Sequence, residues 1–177
     1  PDETWDWAKL TDVARQLTLK AANGKVSQWG FYTETTDMEN YWSELVWQNG
    51  GDIISADHKT SLVGSDQAAA GLQFLQDLIW KDKVMPDPAA WPSDSGDAFE
   101  QGVAAMEANG SWLVATHLAA GIDFGIAPLP KGPAGQATSI NPTGAVIYKG
   151  TKNPDAAWAF VKYLASPAAQ TRIMQLK

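Results

Sequence analysis

The chain has no cysteine, which removes disulfides, thiolate nucleophiles, iron–sulfur clusters and the usual structural zinc sites together. It has only two histidines, His58 and His117. Neither stands one helical turn from a carboxylate, the spacing of a helical metal motif, so each is expected to be structural or on the surface. No metal ligand, catalytic residue or cofactor is assigned. Positive charge is scarce too: 13 Lys and Arg against 20 Asp and Glu leave a formal net charge of −7, with the basic residues scattered. Nothing in that pattern can neutralise a phosphate backbone, and nucleic acid is not expected as a partner. No apolar run approaches the roughly 18–20 residues of a membrane-spanning helix. A glycine-rich phosphate loop, a Gly-x-Ser-x-Gly nucleophile turn and a calcium loop of alternating acids are also missing.

What is present suffices for a core, since 45% of the 177 residues are hydrophobic, within the size of one ordinary domain. The first residue is Pro1 rather than methionine, and a trimmed or excised piece of a longer chain is expected.

Apolar spacing predicts a helix from Thr4 to about Asn23, with Thr4 as its N-cap and Asn23-Gly24 as its stop. After the aromatic segment Trp29–Tyr32, a second helix is expected over Asp37–Gln48, ended by Asn49-Gly50-Gly51. Short strands at Ile53-Ile54 and Thr60–Val63 flank a turn. A third helix runs from a Ser65 cap to about Lys81, with Ala68, Leu72, Leu75, Leu78 and Ile79 on one face. The segment from Met85 to Gly96, broken by Pro86, Pro88 and Pro92, reads as an ordered loop. Then come a buried strand at Val103–Glu107, a helix at Ser111–Ala120, a strand at Ile122–Ala127 and a Pro/Gly-rich turn over Pro130–Gly135. A strand at Ala145–Tyr148 and two helices opening at Asn153-Pro154 and Ser166-Pro167 complete the chain. The alternation is that of an α/β fold.

Two features carry chemistry. Asp94, Asp97 and Glu100 are acids in the number a glycosidase needs, though sequence gives no separation between them, and a solvated loop and helix start is the simpler reading. The other is the abundance of tryptophan, nine in all. Trp80 and Trp158 lie within amphipathic helices and are assigned to packing. Trp42, Trp91 and Trp112 stand at loops or element ends beside hydrogen-bonding residues. There an indole can cover the apolar face of a sugar ring while Asn, Asp or Glu take the hydroxyls. Trp112 is singled out because it follows Asn109-Gly110-Ser111 at a helix start, where free N–H groups point outward. The same tripeptide matches an N-glycosylation acceptor, a match taken as coincidental.

Several segments in order carry a resemblance: Pro1-Asp2-Glu3-Thr4-Trp5; Gln48-Asn49-Gly50-Gly51-Asp52; Phe99 to Met106; Asn109-Gly110-Ser111-Trp112; Phe124 to Pro130; and Lys149 to Pro154 leading into Ala156-Ala157-Trp158. With these the chain resembles the family 1 extracellular solute-binding proteins of ABC importers, the family that includes the maltose-binding protein. The resemblance implies a fragment of a type II periplasmic-binding-protein-like fold: residues 1–130 as the second lobe, 131–142 as a hinge crossover and 143–177 as a return segment of the first lobe. It implies a non-enzymatic, extracytoplasmic receptor, periplasmic or a cell-surface lipoprotein anchored upstream of Pro1. Its partners would be a carbohydrate, an oligosaccharide by preference, and the transmembrane permease subunits of an importer. The ligand contacts it implies are Trp112 first, then Glu39, Asn40, Tyr41 and Trp42 before the glycine pair, and Thr143-Gly144 before the return strand; Trp91 joins them from the residue reading. A non-sugar solute such as a polyamine, metal chelate or peptide stays open as the alternative, and a carbohydrate-active enzyme as a remoter one.

Overall fold

The computed structural model describes residues 2–35, 41–87, 89, 91, 97–142 and 144–175. The chain divides into two compact units, Pro1–Ser139 and Ile140–Lys177.

The first unit opens with α1 (Trp7–Leu17), capped by Asp6, whose side chain accepts the Lys9 N–H. Thr4 is not the cap, because its N–H and its hydroxyl both bind Asp2. Nor does α1 reach Asn23. The chain turns extended at Thr18, and β1 (Leu19–Lys20) pairs antiparallel with β2 (Val26–Gln28). Asn23-Gly24 lies in the hairpin turn between them, Gly24 at φ +79°. An Asn-Gly pair serves a tight hairpin turn as well as a helix end, because both need a left-handed residue.

α2 (Trp42–Gln48) starts later than the apolar spacing suggested, since Tyr41 at φ +94° is outside the helical region; 36–40 lie outside the described residues. Asn49 and Gly50 end α2 as expected. A hairpin-like bridge joins Ile54 to Ser61. α3 (Asp66–Trp80) is capped by Ser65, whose Oγ accepts the Ala68 N–H, and it buries Ala68, Gly71, Leu75 and Leu78. At Gly71 a Cβ would come within 2.5 Å of the Leu45 carbonyl oxygen, so a bare backbone is what lets α3 lie directly on α2. Trp80 falls two residues past Leu78, about 200° around a helix, and is exposed rather than packed.

The core gathers Leu10, Ala14, Phe31, Tyr41, Leu45, Leu75, Leu78, Val84, Met85 and Ala108. Residues 29–32 run parallel to 103–108: Trp29 bridges Ala104 and Tyr32 bridges Glu107. The Trp29 N–H donates to the Val103 carbonyl (2.8 Å), and the Tyr32 N–H to the Met106 carbonyl (2.9 Å). The expected Val103–Glu107 strand is thus real as a pairing. Ser111–Leu113 forms a 3-10 turn that runs on into α4 (Val114–Ala119).

The Pro130–Gly135 turn is fastened to the first unit. Lys131 exchanges backbone hydrogen bonds with Trp5 and Trp7, and the Ala134 N–H donates to the Gln48 carbonyl. Two buried polar residues of α2, four apart, continue this attachment. Gln48 accepts from Trp7 Nε1 (2.7 Å) and donates to the Ala137 carbonyl, while Glu44 Oε1 accepts both the N–H and the hydroxyl of Ser139.

The second unit holds α5 (Pro154–Leu164) and α6 (Pro167–Gln175). Ser166 Oγ accepts the Ala169 N–H at the start of α6. Asn153 precedes α5 without a side-chain cap bond; its own N–H donates to the Thr151 hydroxyl. Trp158, assigned to packing from its helical position, is 56% exposed. Neither Ile122–Ala127 nor Ala145–Tyr148 forms a ladder among the described residues. Extended chain becomes a strand only where a neighbour takes its N–H and C=O groups.

Candidate functional site

The parallel pairing of 29–32 with 103–108 delivers the chain to the Asn109–Trp112 turn. Asn109 organises that turn from both ends of its amide. Its Nδ2 donates to Glu107 Oε1 (2.8 Å), and its Oδ1 accepts the Gly110 N–H (2.8 Å). The Leu113 N–H then closes on the Gly110 carbonyl. The Trp112 indole folds back against Gly110, where a Cβ would meet ring carbons at 2.1 Å. Glycine at 110 therefore sets where the ring lies. Trp112 remains 51% exposed, an aromatic surface held by a fixed turn and open to a partner. Large apolar groups so placed are the usual anchors of recognition sites.

Behind this turn stands a polar group that reading the sequence did not assemble. His117, on α4, brings Nε2 to 3.3 Å from Glu107 Oε2 and 4.0 Å from Asp97 Oδ2. The side chains of His117, Glu107 and Asp97 are 6%, 6% and 14% exposed. Phe99 and Phe124 flank the imidazole at 5.5 and 5.6 Å between ring centres. Burial pushes the Glu107 carboxyl up to about 7; the Asn109 hydrogen bond opposes this, Asp97 adds to it, and His117 pulls back. Burial, then the charges of Glu34, Glu107 and Asp97, push the neighbouring Tyr32 phenol up to about 12. His117 is thus buried and does not stand alone: it is partnered by two acids. The clue in the sequence was Glu107, an acid near the end of the otherwise apolar run Val103–Ala108.

The other expected contacts scatter. Trp91 packs on Tyr32, Ala98 and Ala104. Trp42 lies partly buried against the main core, and Tyr41 is buried within it, edge-on to Phe31 at 5.5 Å. The Tyr41 hydroxyl has no partner among the described residues, and burial holds it well above the ordinary phenol range. Gly144 belongs to the second unit. Glu39, Asn40, Thr143 and Asp94 lie outside the described residues.

Residues 2–171 match the family model described as bacterial extracellular solute-binding protein. The maltotriose-binding protein of Pyrococcus abyssi is 37% identical over 117 residues, 62% of this chain and 25% of that protein. Among solved structures, the maltose/maltodextrin-binding domain of Bdellovibrio bacteriovorus bound to maltotriose superposes with a TM-score of 0.75 at 23% identity, over 96% of this chain and 45% of that one. A receptor of Streptomyces glaucescens, studied unliganded and with acarbose, gives 0.70 at 27% identity, over 96% and 43%. The chain spans less than half the length of each of these relatives. The fold is the α/β, type II periplasmic-binding-protein-like fold. The order of segments, the Trp112 turn and a match over nearly the whole length agree, and the chain belongs to the bacterial extracellular solute-binding protein family.

Proposed function

We propose that this chain is part of the extracytoplasmic receptor of an ABC importer, and that it binds an oligosaccharide of the maltodextrin class by stacking on Trp112. The observation that carries the reading is the half-exposed indole fixed over Gly110 by the Glu107–Asn109 hydrogen bonds. A sugar ring presents an apolar C–H face to such a surface. Support for the class comes from relatives described as binding maltotriose and maltodextrin. On this reading residues 1–130 belong to one lobe, 131–142 make the crossover and 143–177 return to the other. The other candidates among the described residues carry less weight, since Tyr41 is buried in the core and Trp42 and Trp91 pack against core clusters. Trp112 is the strongest of these because it alone is seen both exposed and fixed. The receptor binds without chemical conversion and hands its ligand to the transmembrane permease subunits.

The test is calorimetry of the complete protein with maltotriose. Trp112→Ala is expected to weaken binding by about 2 kcal/mol or more, as loss of a central aromatic anchor does. Unchanged affinity in the folded variant would remove Trp112 from the site, and the absence of binding to any of a panel of oligosaccharides would remove the ligand class.

A further inference from the structure

Asp97, Glu107 and His117 each offer one ligand atom, and these three atoms lie within 4.8 Å of one another. Each carboxylate has one oxygen anchored by a neighbour. Glu107 Oε1 accepts from the Asn109 amide and Asp97 Oδ1 from the Glu100 N–H, which leaves Oε2 and Oδ2 as the atoms nearest His117 Nε2. Fixing one oxygen of a carboxylate to orient the other is how outer-shell groups prepare metal ligands. The imidazole is 5% exposed and set between two phenylalanines, and its Nδ1 has no hydrogen-bond partner among the described residues. The ring is therefore held by packing and by Nε2, which meets Glu107 Oε2 at 3.3 Å.

A bound cation would relieve the crowding of these two acids. Two carboxylates withdrawn together from water lose hydration and repel each other. Among the described residues His117 is the basic side chain that pairs with both, and no lysine or arginine does. The distances suit a small ion: metal–nitrogen and metal–oxygen bonds of zinc-like ions are about 2.0–2.2 Å, so donor atoms on a tetrahedron stand about 3.3–3.5 Å apart. His117 and Glu107 already stand at 3.3 Å, and Asp97 is 4.0 Å from His117. The third ligand, Asp97, has to move closer by an ångström or so, and a water or further donor fills the remaining tetrahedral position (roughly 3.3–3.5 Å between donors).

We infer that Asp97, Glu107 and His117 form a site for one divalent transition-metal ion of the zinc class. The bound ion ties the loop before Phe99 to α4 and, through Glu107 and Asn109, to the turn that carries Trp112. The ion-binding claim stands independently of the sugar reading, because it uses none of the ligand-contact residues.

Calorimetry and thermal melting of the chelator-stripped chain with zinc chloride test it. The expected result is one ion per chain and a raised melting temperature. Asp97→Asn, Glu107→Gln and His117→Gln should each weaken binding at least about tenfold, with His58→Gln unchanged. With only two histidines, cobalt-induced shifts of the imidazole NMR signals report the site in the unsubstituted chain, whatever the variants do. They should appear at His117. Absence of saturable binding, shifts confined to His58, or folded Glu107→Gln and His117→Gln variants that bind as well as the parent would overturn the inference.

Discussion

α3 and α5 are written in nearly the same way, each an amphipathic helix with a recognisable start, yet they end in opposite circumstances. α3 buries Ala68, Gly71, Leu75 and Leu78 and closes on the α2 backbone. α5 buries none of its residues, and Trp158, Phe160 and Tyr163 are all exposed. An apolar stripe decides that a helix will form; what covers it depends on the rest of the fold. Trp158 and Phe160, two residues apart, stand about 200° from each other around the helix, so α5 exposes large apolar side chains on more than one side.

The contrast breaks most visibly at Leu45, which is fully buried. Leu45→Ala is expected to cost about 2–5 kcal/mol in urea unfolding, through lost burial and the cavity left behind. Trp158→Ala is expected to stay within about 0.5 kcal/mol in this chain; a comparable loss at both positions would show that α5 is packed after all.

A second test sharpens the contrast from the charged side. Glu107 has its carboxyl raised to about 7 by burial, against an ordinary value of 4.5. A raised carboxyl favours the folded state below its unfolded value, and that contribution is lost as pH rises from about 4.5 through about 7. With chelator present to keep metal out, Glu107→Gln should raise the melting temperature relative to the parent at pH 8.5 and show little advantage at pH 4. Equal differences at the two pH values would contradict the assignment, whereas no such pH dependence is expected from substitutions on the exposed face of α5.

The smallest effect on stability is expected from Trp158→Ser combined with Phe160→Ser. That variant should bind a dye specific for exposed apolar surface less strongly and scatter less light at high concentration. Its melting temperature should hardly move. Unchanged dye binding would place the sticky surface elsewhere.

The helices were largely legible from residue spacing, because Ser65, Asn49-Gly50 and Ser166-Pro167 mark their ends through local chemistry. Asn23-Gly24 was misread for the same reason: one dipeptide serves both a helix stop and a hairpin turn. The pairing of 29–32 with 103–108 joins segments more than 70 residues apart, and no local pattern announces such a partner. Trp112 was legible as a ligand-facing candidate from Asn109-Gly110-Ser111, whereas the steric reason for Gly110 needed the indole in place. Glu107 and His117 are ten residues apart on different elements, so their meeting was hidden until the turn between them was folded. Glu44 and Gln48 were hidden differently: polar residues on a helix are ordinarily assigned to water, and here both are buried.

Those two residues have a mechanical consequence. Pulling residues 137–139 off α2 would strip Glu44 Oε1 of the two Ser139 donors and Gln48 Nε2 of its bond to Ala137, leaving buried polar atoms short of partners at a cost of several times thermal energy. The segment 131–139 is therefore bound to the first unit through α2. The polar pair on α2, more than the prolines and glycines of the segment itself, decides how firmly 131–139 is held.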